Sequence, residues 1–513
     1  MLLPPMLNFS TLRAPPNDGD VLVEPPAERL PALVTENIAR TGAMAGGLLG
    51  VDWAALRRRV RRELGAAPGA PVIMTGHQPE FMHPGVWAKG IVASRLAKAL
   101  GGTAVNLIVD NDVAKTMSLP VPVRQHGGIC LHHVTFADKG AGQPYEGLPA
   151  IEPEAIRRIR CKIRELMGDA YAESAMPEYL DGFERAERHS FVDQTVAGRR
   201  TLDRLFGLTV TDVRVSTVWG GPMLADWMLR AEEFAAAYNR ALAEYRQEEN
   251  VRNRDRPMPD LVVDDGRVEL AAWAYRIGER RKRLFVERTR TLVRLFAEHE
   301  FIGAATVADL ESAALPAPTD WRIRPRALTL TLWARLLASD IFIHGIGGAK
   351  YDRITNRIMR YYYGIEPPEM VCVSATLHLP LPRHGVTADD IIKARRLLRD
   401  VQYQPERLLA PHAAVEPLIT AKRSAIAESE RLRRSGDRSH GARREVFQRI
   451  RELNGHILAC RPELLSDARA RIELVERLRN EDRIAGARDY FFALFPRTRL
   501  EALCAHPQFR MSR

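Results

Sequence analysis

The chain has 513 residues, of which 46% are hydrophobic, enough apolar side chain to offset the entropy of ordering and to exclude disorder as its main state. Length alone sets a prior of roughly three domains. The net charge is 75 − 64 = +11, but only nine of the 75 basic residues are Lys. Acids also interleave with them (Glu473, Glu476 and Glu481 among Arg469, Arg471 and Arg477), a pattern of solvated helix faces more than of a nucleic-acid stripe.

In chain order, Met1-Leu2-Leu3-Pro4-Pro5 lacks the basic segment and continuous apolar core of a signal peptide. Residues 1 to about 35 carry Pro4-Pro5, Pro15-Pro16, Pro25-Pro26 and Pro31, so they are expected to form an arm over the body rather than a long regular element. Residues 51–64 read as a basic helix and 65–71 as a hinge, which gives a first region of 1–70. Pro71 to Thr75 is a short apolar run, followed by a polar loop from Gly76 to Gly85. A helix then carries Ala88, Val92, Leu96 and Ala99, closed by Gly101-Gly102. A second apolar run, 105–109, ends in Asp110-Asn111-Asp112. Strand, loop, helix and strand in this order predict a βαβ unit and a parallel sheet.

Further apolar runs at 213–219, 340–344 and 370–374 extend that sheet, separated by helical segments at about 151–206 and 222–250 and a hairpin around Asp264-Asp265-Gly266. The longest apolar stretch, Thr329 to Ile343, is broken by Arg335 and Asp340 and is shorter than the ~20 residues that span a bilayer. The expected fold class is therefore α/β, a parallel sheet core at 71–382 with helical insertions. From 383 to 513 the composition turns to Arg, Glu, Ala and Leu. Val446, Ile450, Leu453 and Ile457, then Leu465, Ala468, Ile472 and Val475, form two apolar stripes on either side of Arg461-Pro462. These predict an antiparallel helical hairpin or a short coiled coil. The cysteines, Cys130, Cys161, Cys372, Cys460 and Cys504, are far apart and contain no CxxC, which points to reduced thiols and a cytoplasmic protein.

Ligands of an open parallel sheet bind beyond the carboxyl ends of its strands. Three such ends carry chemistry here: the loop from Thr75 to Gly85 with His77, Gln78 and His83, then Asp110-Asn111-Asp112, then His344 to Asp352 with Gly347, Gly348 and Lys350. The loop entering the helix at 85 offers unpaired N–H groups to an anion, with His77 and His83 to bind it or move protons. Alternatively these are loop histidines bonded only to backbone. Strand alternation lets at most one of Asp110 and Asp112 face the cleft, the other reading as a cap or turn residue. Arg322, Arg324 and Arg326, around Pro325, could clamp a carboxylate or phosphate, or be surface charge. His126, Cys130, His132 and His133 match no zinc spacing, and a turn followed by a strand explains them, so no metal is expected.

At these loops the chain resembles the cysteine-adding enzymes of bacillithiol biosynthesis. The resemblance is carried by Thr75-Gly76-His77-Gln78-Pro79 with Pro84-Gly85, by Asp110-Asn111-Asp112, and by Arg324-Pro325 leading to Gly347-Gly348, over roughly residues 70 to 500. It implies a Rossmann-like core, helical insertions and a C-terminal coiled coil that pairs two subunits. It implies a ligase that joins L-cysteine to the amine of glucosaminyl malate, with small-molecule substrates and no membrane or nucleic-acid partner. In that reading His77, His83, Asp110 and Asp112 are catalytic, while Thr75, Gly76, Gln78, Gly85, Arg324, His344, Gly347, Gly348 and Lys350 hold substrate. The family usually has Gln at His77, a more acidic stretch at 110–112, and an acidic residue where Lys350 stands. No motif names the cofactor that activates the carboxylate. Two other readings are a nucleotidyltransferase with paired histidines, here six residues apart instead of three, and an RNA-binding protein using Arg57–Arg62 and Arg280–Arg283.

Overall fold

Continuous runs of branched apolar residues become strands buried on both faces, as parallel pairing requires. The computed structural model describes residues 9–125, 127–138, 142–186, 189–253, 255, 257–264, 266–315, 320–409, 414–435 and 440–511. In chain order the strands are Val21–Glu24 (β1), Val72–His77 (β2), Thr103–Ile108 (β3), the hairpin Ser118–Gln125 (β4) and Gly128–Thr135 (β5), and Thr211–Arg214 (β6). An antiparallel run follows, Arg267–Arg276 (β7), Lys282–Arg288 (β8), Leu292–Ala297 (β9), Glu300–Thr306 (β10) and Trp321–Pro325 (β11). Ile341–His344 (β12) and Met370–Ala375 (β13) follow, and three two-residue strands, Gly47–Leu48, Val51–Asp52 and Val263–Asp264, stay unnumbered.

The main sheet has the order β1-β13-β12-β2-β3-β6, parallel except for β1 at its edge. Counting only the parallel strands along the chain, this is 5-4-1-2-3, and the order reverses between β2 and β12. Helix Leu30–Gly42 (α1) precedes Trp53–Glu63 (α2), and Pro84–Leu100 (α3) links β2 to β3. Pro84 sits in the first turn of α3, where no N–H is missed, and Gly101 ends the helix at φ 63°, a left-handed position that favours glycine.

The proline-rich start departs from the expected arm. Val21–Glu24 lies between the Pro16 and Pro25 interruptions and adds an antiparallel edge to β13, and Pro31 falls in the first turn of α1, where it is tolerated. Residues 213–219 also depart from a strand. Only the first two continue β6, and Val215–Val218 is a helical turn held by the Asp110 carboxylate, which accepts the Ser216 N–H at 3.0 Å and the Ser216 hydroxyl.

The second sheet, β10-β9-β8-β7-β11, is antiparallel throughout and much larger than the expected hairpin, whose Asp265 lies outside the described residues. Its inner face carries Leu270, Leu284, Val286, Val293 and Leu295, which share one core with helix Ala231–Glu248 (α4). A bulge between Leu270 and Trp273 resets the alternation of β7, so Trp273 pairs with Arg283 on one side and Arg324 on the other.

The chain forms two units. One comprises Met1–Val121, His132–Leu379 and Arg488–Arg513; the other comprises Pro122–Leu131 and Pro380–Ala487. The segment from Arg488 onward thus belongs to the first unit. Its Phe492 ring stacks on Trp87 at 4.8 Å and its Phe491 meets Phe81 at 5.3 Å. In the second unit Ala388–Tyr403 (α5) packs along Glu463–Ala485 (α8), and Glu416–Arg434 (α6) along His440–Ala459 (α7). The two sequence stripes lie on α7 and α8, and each faces a partner helix that precedes it in the chain rather than mainly facing the other. Among the described residues no helix is long and apolar enough to cross a membrane.

Candidate active site

The carboxyl ends of β2, β3 and β12 open into one cavity of about 420 Å³, beside the place where the strand order reverses. After β2 it is lined by Gly76, His77 and Gln78, and after β3 by Asn111 and Asp112. His344 at the end of β12 is joined by Gly348, Tyr351 and Asp352 of helix Ile346–Ile358 (α9). The second sheet and its loops supply Trp273, Arg281 and Arg326. Each strand places its last side chains at the same edge because the register aligns Ile343 with Thr75 and His77 with Ile108.

Two neutral imidazoles face this space. His77 Nδ1 lies 3.0 Å from the Gln78 carbonyl, which can only accept, so Nδ1 carries the proton and Nε2 the lone pair. Burial, with the nearby Lys89 charge, pushes the His77 pKa down to about 3. Lys89, itself buried on α3, donates to the Gly76 carbonyl at 2.6 Å, and burial lowers its pKa to about 8. On the opposite wall His344 Nε2 donates to Asp352 Oδ2 at 3.0 Å, which leaves the lone pair on Nδ1. Burial holds the His344 pKa below its ordinary value despite that carboxylate. Asp352 also accepts from Arg335 Nη1 at 2.6 Å and Thr331 Oγ1 at 2.7 Å. Burial raises its carboxyl pKa, but Arg335 and His344 outweigh burial and keep it ionised. Gly348 is needed beneath the ring, since a Cβ there would fall 2.7 Å from His344 Nδ1.

Asp112 is the aspartate of its loop that reaches the cavity. It accepts from Gln78 Nε2 at 2.8 Å and pairs with Arg281 at 3.0 Å. Arg281 and Arg326 lie over the Trp273 ring at 4.8 and 4.3 Å, and Arg326 pairs with buried Glu269. Asn111 Nδ2 donates to the Pro325 carbonyl at 2.9 Å, tying this loop to the start of the Arg326 helix.

The remaining expected residues do other work. Asp110 is buried away from the cavity and holds Ser216. Thr75 Oγ1 donates to the Ile343 carbonyl at 3.0 Å, stitching β2 to β12. His83 caps α3, its Nδ1 accepting the Gly85 N–H at 3.1 Å. Gly85 is packed so closely that a Cβ would meet the Ala375 carbonyl at 2.6 Å. The start of α3 is therefore closed by His83 and β13 and offers no open anion site. Arg324 pairs with Glu146 at 3.0 Å, while Gly347 and Lys350 do not line the cavity. Arg57 and Arg61 both pair with buried Asp340 and anchor α2, while Arg58, Arg59 and Arg62 are exposed. His126 lies outside the described residues. Among those described, no group of three metal-binding side chains comes together. Trp273, Arg281 and Arg326 were the cavity residues hardest to find in sequence. Only the alternating arginines at 322–326 and the 280–283 run signalled them.

Burial and the Arg488 charge push the His83 pKa down to about 4. The unfolded chain takes up protons on His77 and His83 below about pH 6.5, whereas the folded chain resists until about pH 3 and 4. Stability from these residues is thus complete above pH 6.5 and falls as the pH drops from 6.5 toward 4. As the pH falls from 7 to 4.5, the urea midpoint of the wild type should drop relative to that of His83→Gln, which keeps an acceptor for Gly85 and does not titrate, so the gap between the two changes with pH. A gap that stays constant across that range would refute the assignment.

Among known proteins, no family model matches the chain and no curated protein is significantly similar to it.

Proposed function

We propose that this chain is a ligase that forms a C–N bond between the carboxyl group of cysteine or a similar amino acid and a small amine such as glucosaminyl malate. The observation that carries the reading is the meeting of His77, Asp112 and His344, from three separate strand ends, in one 420 Å³ cavity. The Asp112 carboxylate supports orientation of the acceptor ammonium. The lone pairs of His77 Nε2 and His344 Nδ1 support acceptance of hydrogen bonds from the attacking nitrogen as it loses its proton. The strand order 5-4-1-2-3, read from the other edge as 3-2-1-4-5, supports a Rossmann-like core. That Cys130, Cys161, Cys372, Cys460 and Cys504 form no disulfide with one another supports a reducing, cytoplasmic setting.

The test is to incubate the full chain with L-cysteine and glucosaminyl malate, with and without ATP, and follow the amide by mass spectrometry. Product formed by wild type and lost in His77→Ala supports the ligase. Stabilisation by nucleotides alone, with pyrophosphate release and no amide, would move the assignment to a nucleotidyltransferase.

The same resemblance carries a subunit pairing through a coiled coil of the helical unit. Ile392 on α5 and Phe447 on α7, each 56% exposed, support it as apolar side chains without cover in the single chain. Light scattering should give about twice 57.7 kDa for wild type and about 57.7 kDa for Ile392→Glu/Phe447→Glu. Equal masses would remove the pairing.

A further inference from the structure

We infer that Lys89 makes the cavity selective for an anionic substrate, its buried and uncompensated ammonium acting through the Gly76 peptide on a carboxylate that it does not touch. The inference rests on the cavity of the proposed function as the substrate site and not on the ligation step.

Lys89 lies on α3 and is 5% exposed. Buried charges are normally paired, because taking them out of water is costly. Among the described residues no carboxylate pairs with this one. Its ammonium donates to the Gly76 carbonyl at 2.6 Å, and the group that opposes the effect of burial on it is the Cys372 thiol of β13. Arg199 shares a small cavity with Lys89 and His77, but its charge is already met by Asp203 and Asp212. That cavity measures about 20 Å³, the room of one water molecule, so no substrate reaches the ammonium there.

Gly76 connects this charge to the main cavity. Its carbonyl holds Lys89 while the residue itself lines the 420 Å³ space, so the ammonium stands one peptide unit behind that wall. The field of Lys89 crosses it: the same charge lowers the proton affinity of His77 and His344, which line the cavity, and of His83 at the start of α3. The charged side chains that line the cavity are matched, Asp112 with Arg281, Arg326 with Glu269, and Asp352 with Arg335. With both imidazoles neutral, Lys89 leaves the site one positive charge in excess, which favours a carboxylate over a neutral group. Burial lowers the Lys89 pKa to about 8, so the excess is present at pH 7 and is lost as the pH rises through 8.

Calorimetric titration of the full chain tests this with N-acetyl-L-methionine, a carboxylate at both pH 7 and pH 9.5, and N-acetyl-L-methioninamide, its neutral counterpart. The carboxylate should bind at least about tenfold more tightly than the amide at pH 7, and less than about threefold more tightly at pH 9.5. Lys89→Met, which keeps the length without the charge, should show the weak preference at both pH values. Should that variant misfold, side-chain nitrogen spectra of the nine lysines in the unaltered chain decide: one should titrate near pH 8, and its midpoint should rise when the carboxylate is bound. Failure of the carboxylate to bind at pH 7, a preference that persists at pH 9.5 or in Lys89→Met, or no lysine titrating below pH 9 would overturn the inference. A carboxylate preference that follows Lys89, with no amide formed from any amine, leaves the inference standing and removes the ligase. Amide formation without that preference does the reverse.

Discussion

Replacing Asp352 with alanine should destabilise the first unit by about 3–5 kcal/mol, because it strands a guanidinium that cannot reach water. Arg335 is 1% exposed and its carboxylate partner 2%. Among the described residues, the Arg335 charge in the variant would retain only the Pro368 carbonyl as acceptor on its other nitrogen. His344 would also lose the acceptor that fixes its tautomer, so the ring facing the cavity would be free to turn. The companion measurement is Asp352→Leu with Arg335→Met, which removes both charges and fills similar space. The double variant should recover most of the loss, as apolar replacements of buried ion pairs commonly do. A urea midpoint for Asp352→Ala close to wild type would show that water reaches Arg335 after all.

The second large effect concerns rate. His77→Ala should lower kcat/KM for amide formation about a hundredfold, while His77→Gln should stay within about tenfold of wild type. The reasoning is that a ring with a pKa near 3 is neutral across the working range, so it contributes a fixed acceptor rather than a titrating base. Glutamine supplies an acceptor of similar reach. It follows that the pH–rate profile should show no limb near pH 6.5 that vanishes in His77→Gln. Equal losses in the two variants would instead mean that His77 carries a proton during turnover.

The strands of the main sheet were legible because a strand buried on both faces is apolar along nearly its whole length, as 72–74 and 370–373 are throughout and 104–108 is apart from Asn106. The ends of those strands were legible as a site for the same reason, since polarity returns where the sheet stops. What sequence could not supply is which polar residue turns inward. His77 and His83 share one loop, yet one lines the cavity and the other caps a helix, a difference set by the close approach of Gly85 to β13. The second sheet was nearly invisible because charged residues interrupt its strands. The bulge after Leu270 also breaks the alternation that would have marked Trp273 as sharing a face with Arg283 and Arg324. No local rule brings Asn111 beside Pro325, more than two hundred residues later.

The segment beginning at Arg488 sets Phe491 edge-on against Phe81 and stacks Phe492 on Trp87, and the Phe492 N–H is accepted by the Met82 carbonyl at 2.9 Å. On the ribosome those rings emerge hundreds of residues before their partners. Phe81 and Trp87 can meet Phe136 and Phe206 earlier, but they lack the cover of Phe491 and Phe492 while the whole helical unit is synthesised. That interval is a window in which a nascent chain is open to chaperones and to aggregation. The cavity-bearing unit is complete only after the unit inserted within it has been made.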